Sequence, residues 1–263
     1  MEIKIYQVDA FASNLFEGNP AAVCPLPYWL PDELLQKIAE ENNLSETAFF
    51  VAQDQDYSLR WFTPKDEVDL CGHATLAAAH VLFKHMEHSK ESIVFHTKSG
   101  ELEVSKSALG YSMSFPASFI EPIEFPSELA EGLGIVPTTV LAAFDYIVVL
   151  NNESQVMSIK PNFSKLQQLP LRGVVVTAPS NEVDFVSRCF FPKLNVNEDP
   201  VTGSAHCELA PYWSKELNKT NLVGRQLSKR TGLVQCSVLD QKVILSGNAI
   251  DYMSGIINTK RIN

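Results

Sequence analysis

Two stretches of the chain are apolar on nearly every side of a helix. The first, residues 69–83, packs Ala and Leu behind a polar start of Asp69, Cys71, Gly72 and His73. From Ala74 onward almost no face is polar, which predicts a buried helix and not one lying on a surface. The second follows about 130 residues later, where an apolar run over 205–217 comes after Thr202-Gly203-Ser204. Setting Gly72 on Gly203 pairs Cys71 with Thr202, His73 with Ser204 and Ala74 with Ala205, the pattern of an internal duplication. A buried helix start presents unpaired N–H groups and the positive end of the helix dipole, and both favour a bound anion.

Around these helices the pattern is mainly that of strands. Alternation at Ile3, Ile5 and Val8 predicts a strand over 3–11, followed by a turn at Glu17-Gly18-Asn19-Pro20 and an extended segment over 21–26. Pro31 and Asp32 suit a first helical turn, and Leu34, Leu35, Ile38 and Ala39 continue at helical spacing until Asn42-Asn43 stops them. The loop Leu44-Ser45-Glu46 then delivers the chain into a strand over 47–51, so Glu46 sits at a loop-to-strand edge. Further strands are predicted over 57–62, within 91–107 and over 111–115, with turns at Ser99-Gly100 and Leu109-Gly110. Residues 116–126 hold three prolines and mark a linker, dividing the chain into domains 1–118 and 119–263.

The second half repeats the alternation. Helices are predicted over 127–133 and 163–169, and strands over 138–141, 145–150, 173–178 and 183–191. The loop Asn197-Glu198-Asp199-Pro200 leads to the second buried helix, and strands over 226–230, 233–239 and 242–250 finish the half. Strand outnumbers helix, and each half wraps a mostly antiparallel sheet around one apolar helix, an α+β arrangement.

Composition narrows the partners. With 263 residues, 45% of them hydrophobic and 20% charged, the chain has the make-up of an ordinary globular protein. Asp and Glu outnumber Lys and Arg by 31 to 21, which argues against nucleic acid or an anionic membrane as a partner while leaving room for a small anion at a local site. No apolar run approaches the roughly 20 residues that span a bilayer. The first residues alternate with Glu2 and Lys4 where a signal peptide carries its apolar core, so a cytoplasmic protein is expected. Five widely spaced cysteines without a Cys-x-x-Cys pair read as reduced thiols. His80, His85 and His88 lie close in sequence, but no Asp, Glu or Cys nearby completes a set, so no metal is expected. Gly132-x-Gly134 lacks the third glycine of a dinucleotide loop, and no lysine stands in a pyridoxal context, so no cofactor is expected.

Several separate motifs carry a family resemblance. Asp9-Ala10-Phe11 with Gly18-Asn19-Pro20-Ala21-Ala22-Val23, Leu44-Ser45-Glu46-Thr47, Arg60-Trp61-Phe62-Thr63-Pro64 through Cys71-Gly72-His73-Ala74-Thr75, and Glu198-Asp199-Pro200-Val201-Thr202-Gly203-Ser204-Ala205 fall in one order across nearly the whole chain. Together they resemble the phenazine-biosynthesis PhzF-like family. The resemblance implies two similar domains of the diaminopimelate-epimerase type, an active site in the cleft between them, a homodimer, and cofactor-free isomerisation by proton transfer. It also implies Glu46 as general acid/base, with His73, Asp199 and Ser204 supporting it.

Physical chemistry gives these positions parallel readings. A carboxylate that takes a proton from carbon near neutral pH is helped by burial, which disfavours its charged form; a glutamate picked at random is instead a solvated loop residue. Gly72, Gly203 and Ser204 stand where helix N–H groups can bind a small anionic substrate, although Ser204 alone also reads as a helix cap and His73 as a satisfied imidazole. Asp199 precedes Pro200 and serves either to fix a turn, to position His73 or to act on the proton in transit. Cys71 faces Thr202 in the internal alignment, and a threonine hydroxyl is a far weaker acid or base than a thiol, so exchange between two thiols is disfavoured. The competing function class is a catalytically silent interaction or ligand-binding member of the same fold.

Overall fold

The computed structural model describes residues 1–259. The chain starts with β1 (Glu2–Ala10), whose Ile3, Ile5 and Val8 point into the core. Gly18 turns it into β2 (Asn19–Leu26): its φ is +70°, and a Cβ there would stand 2.3 Å from the Ala10 carbonyl oxygen. Glycine is the residue that tolerates both conditions. α1 (Asp32–Asn42) buries Leu35, Ile38 and Ala39 and stops where Asn43 adopts left-handed backbone. β3 (Glu46–Gln53) pairs parallel with β2, β4 (Asp56–Phe62) antiparallel with β3, and the short β5 (Glu67–Val68) antiparallel with β4. In α2 (Gly72–His85), which comes next, every residue from His73 to Leu82 is buried. β6 (Ser92–Thr97) runs parallel to β4, and β7 (Gly100–Ser107) and β8 (Gly110–Pro116) extend the sheet antiparallel.

The later half follows the same plan. After β9 (Glu121–Pro122) and α3 (Ser127–Leu133), β10 (Thr139–Ala142) pairs antiparallel with β11 (Tyr146–Val149). The short helices α4 (Glu153–Ser158) and α5 (Phe163–Leu166) then lead to β12 (Val174–Pro179), which is parallel to β11. β13 (Phe185–Phe191) pairs antiparallel with β12 and carries β14 (Val196–Asp199) on its edge. The buried helix α6 (Gly203–Leu217) follows, then β15 (Asn221–Gln226) parallel to β13 and β16 (Gly232–Leu239) antiparallel to β15. Antiparallel, parallel, antiparallel, short edge strand, buried helix, parallel, antiparallel is the order from β1 to β7 as well. The α+β class and the paired sheet-and-helix plan thus hold for both halves.

The end of the chain corrects the division at 118/119. After β17 (Lys242–Gly247), β18 (Ala249–Asn258) pairs antiparallel with β1 from Glu2↔Asn258 to Ala10↔Ala249. One unit therefore holds residues 1–114 with the described residues from Ser246 onward, and the other is Phe115–Leu245. β18 returns to a partner strand at the opposite end of the sequence, and such pairing leaves no local signal. Two strand assignments change for related reasons. The strand expected over 226–230 is the preceding Asn221–Gln226, and the run over 242–250 breaks at Asn248, whose side chain accepts from the Ala249 N–H. Among the described residues no helix is long and apolar enough to cross a membrane.

In the first unit α2 touches β1, β2, β3, β7 and β18, so its side chains fill the centre of that sheet. Leu76 is fully buried there. Leu76→Ala is expected to lose about 2–5 kcal/mol of stability, the range for truncating a core leucine, read as a lower denaturation midpoint. A change well under 1 kcal/mol would place Leu76 outside the core.

Candidate active site

Glu46 is the first residue of β3 and His73 the second of α2, and both elements are anchored in the same buried sheet. His73 Nε2 stands 3.0 Å from Glu46 Oε2, with only 8% and 18% of the two side chains exposed. On the other edge of the ring, Nδ1 lies 3.5 Å from Cys71 Sγ. Burial disfavours a charged imidazole, yet the Cys71 sulfur and the Glu46 carboxylate more than offset it and hold the His73 pKa well above its ordinary value. Burial, with Glu46 next, pushes the Cys71 thiol up, while His73 acts the other way.

Cys71 is the N-cap of α2, and its side chain makes no capping hydrogen bond. The first N–H groups of that helix therefore lack the closure that Asn152 gives α4 by accepting from the Gln155 N–H.

The second unit assembles a different set at the same place. Thr202, the N-cap of α6, likewise makes no capping bond and instead donates its hydroxyl to Asp199 Oδ2 at 2.5 Å. Gln226, fully buried, fixes this turn from three sides. Its Nε2 donates to the Asp199 carbonyl at 2.7 Å and to Thr202 Oγ1 at 3.2 Å, while its Oε1 accepts from the Thr202 N–H at 2.9 Å. Ser204 Oγ accepts from Arg172 Nη2 at 3.0 Å. Arg172 also grips buried Asp145 with two bonds, of 3.0 and 2.5 Å. Behind them Glu208 accepts from the Phe144 and Asp145 N–H groups, and burial followed by the Asp145 charge pushes it up to about 8. Burial beside Asp145 thus favours the protonated form of Glu208. An added Cβ at Gly203 would meet only Leu245, at 3.6 Å, so packing within the unit does not require glycine there.

Glu46, Gly72 and His73 thus come together in the first unit, and Asp199, Gly203 and Ser204 in the second. Arg172, Asp145, Gln226 and Glu208 escaped the sequence reading. Glu208 did leave a trace, an acid flanked by the apolar residues Cys207, Leu209 and Ala210 inside the helical run. One expectation is corrected: an acid does complete the His80/His85 pair. Asp251 of β18 stands 3.0 and 2.9 Å from the two Nε2 atoms, and His88 goes instead with Tyr57 and the Ser92 carbonyl. The acid was missed because it lies about 170 residues away, on the returning strand.

With this geometry in place, comparison with known proteins adds the following. An uncharacterized isomerase of Pseudomonas aeruginosa is 54% identical over 98% of this chain and 100% of its own. A crystal structure of a phenazine biosynthesis protein of the PhzF family from Enterococcus faecalis, 48% identical, covers 98% of this chain and 100% of that one with a TM-score of 0.96. A hydroxyproline epimerase from Agrobacterium vitis shares the fold at 9% identity, with a TM-score of 0.63 over 99% of this chain and 94% of that one. Residues 8–255 match the family of phenazine biosynthesis-like proteins, PhzC-PhzF, and the chain belongs to that family.

Proposed function

We propose that the chain is a cytoplasmic, cofactor-independent isomerase that moves a proton on a small carboxylate-bearing, cyclic amino-acid-like substrate, with Glu46 as general acid/base. The observation that carries this reading is the Glu46–His73 pair at the uncapped start of α2. The isomerase name borne by the Pseudomonas relative supports the reaction class.

In this reading the Glu46 carboxylate takes a proton from one substrate carbon, and the electron pair left behind spreads into the substrate's adjoining π system. The proton returns to a second carbon, so atoms and charge balance without a co-reactant. His73, its Nε2 3.0 Å from Glu46 Oε2, pairs electrostatically with the carboxylate and restrains it. In the first unit the first N–H groups of α2, beside Gly72, hold the substrate carboxylate, and in the second those of α6, beside Gly203, offer an anion position of the same kind. The Ser204 oxygen already accepts from Arg172, which leaves its own O–H to donate to an anion at the start of α6. Asp199, oriented by Thr202, is the acid beside the start of α6.

Glu46→Gln keeps the shape and removes the acid/base group, so turnover is expected to fall by at least the ~10²–10⁴-fold that general acid–base catalysis supplies. The check is deuterium incorporation into substrate in heavy water, with binding of a substrate carboxylate little changed. Full turnover by Glu46→Gln, with Cys71→Ser inactive instead, would sink the glutamate mechanism.

The His73 pKa is raised on folding, so its stabilising effect is complete below the unfolded value of about 6.5 and is lost as pH climbs through the folded value. The melting-temperature advantage of wild type over His73→Gln is therefore expected to shrink as pH rises from about 6 to about 10. A gap that widened over that range would contradict the pairing.

The reading includes a homodimer. Tyr252, Met253 and Ile256 of β18 are exposed apolar side chains, and Phe16 meets Tyr252 edge-on at 6.0 Å. Light scattering should give twice the 29.2 kDa of one chain, and Ile256→Asp should return it to a single mass. A monomeric wild type removes this part of the reading.

A further inference from the structure

At the far end of α2 a second cluster of chemically capable side chains takes no part in the reaction just described. His80, buried within the helix, and His85, its last residue, direct their Nε2 atoms at Asp251 Oδ1, at 3.0 and 2.9 Å. The three donor atoms all lie within 4.8 Å of one another. Asp251 reaches this position through an irregularity in the strand. The β1–β18 register shifts between Gln7↔Met253 and Val8↔Asp251, which inserts Tyr252 as the extra residue of a bulge. Bulges re-aim side chains and are frequent beside functional sites.

We infer that His80, His85 and Asp251 form a binding site for a divalent first-row transition-metal ion that staples the returning strand β18 to α2.

Two imidazole nitrogens and one carboxylate oxygen are the donors that zinc, cobalt and their neighbours take. Metal-binding histidines have their other ring nitrogen held by a hydrogen-bond partner, and His80 Nδ1 has one in the Tyr111 hydroxyl at 3.0 Å. The His85 ring is held by stacking on Tyr6, centroid to centroid at 4.7 Å. Ligands must give up their protons to bind, so uptake of the ion releases protons.

A neutral His80 has a single N–H to place. Without metal, Nε2–H donates to Asp251 while Tyr111 donates to Nδ1. With metal, Nδ1–H turns to the Tyr111 oxygen and the Nε2 lone pair is freed. Bonds of about 2.0–2.1 Å in tetrahedral geometry set donors roughly 3.3–3.4 Å apart, so the present spacings need to open by about 0.4 Å. The side chains of His85 and Asp251 are each 28% exposed, which gives an ion an entry path and leaves coordination positions for water. The negative end of the α2 dipole favours a cation at this end of the helix. Lys84 opposes it, but it sits on the other carboxylate oxygen, Oδ2, is 55% exposed, and forms an ion pair of the weak surface kind.

The test is a calorimetric titration of chelator-treated full-length protein with Zn²⁺, repeated with Co²⁺ to read the visible absorption of a four-coordinate ion. One saturable site is expected. His85→Ala, chosen because His85 is the more exposed imidazole and its loss leaves the core intact, should weaken Zn²⁺ binding at least about 100-fold, as should Asp251→Asn. Tyr111→Phe should weaken it about tenfold, in line with the 10–100-fold loss seen when an outer hydrogen-bond partner of a ligand is removed. Glu46, Cys71 and His73 also lie close enough together to share an ion, so Cys71→Ser serves as the control and should bind as wild type does. Absence of saturable binding, undiminished affinity in His85→Ala, or loss of the site in Cys71→Ser would each overturn the inference.

Discussion

α2 and α6 start without a side-chain cap inside the sheets that surround them, and much of the candidate chemistry follows from that constraint. α2 and α6 each start after an extended N-cap residue, Cys71 and Thr202, whose side chain does not turn back to the helix. Asn152 and Asn162 close the short α4 and α5 with their side-chain oxygens, while α1 and α3 start after a proline and have no side-chain cap. The two helices that carry the candidate residues go without that closure, although an unmet N–H group in a buried setting is destabilising. Their positive ends favour a bound anion.

The two halves share an order of strand pairing but not a chemistry. Glu46 opens β3 opposite Ala21, whereas the corresponding strand β12 opens with Val174 opposite Tyr146. The first unit therefore has a carboxylate and an imidazole beside its helix start. The second has a guanidinium, Arg172, braced by Asp145 and reaching Ser204. Thr202 takes the position of Cys71, and its hydroxyl is committed to Asp199. A duplicated framework has thus been filled with one half suited to proton transfer and one suited to anion binding, and a symmetrical pair of thiol bases has no second member.

The legible parts of the fold were those written locally. α2 and α6 were visible because an apolar run of helical length has few other uses, whereas Glu46 stood out only through the resemblance of Leu44-Ser45-Glu46-Thr47 to the family's motif and would otherwise read as a solvated loop residue. β14 was hidden because Val196–Asp199 is too short and polar to show alternation, and α4 because six residues give no period to read, even with Asn152 as a cap signal. Gln226 was taken for the start of a strand and is the end of one. Its role as the brace of the Asp199–Thr202 turn depends on contacts 24 and 27 residues away. Arg172, Asp145 and Asp251 share that difficulty: what makes each one matter is a partner brought near by the sheet, and no spacing along the chain announces it.

Stability alone gives no reason for the Glu46–His73 pair. Replacing a buried ion pair by well-packed apolar residues is often neutral or stabilising, because bringing two charges out of water is itself unfavourable. This pair bears a further penalty, since the His73 imidazolium lies in the first turn of α2, where the helix dipole repels a cation. Glu46 offsets that repulsion at 3.0 Å, and its own negative charge is favoured at the same helix end. Each group is thus in place for the sake of the other and for whatever approaches the helix start. Local rules of helix charge are broken here with no return in packing, and such conflicts survive in folded chains chiefly where a site requires them.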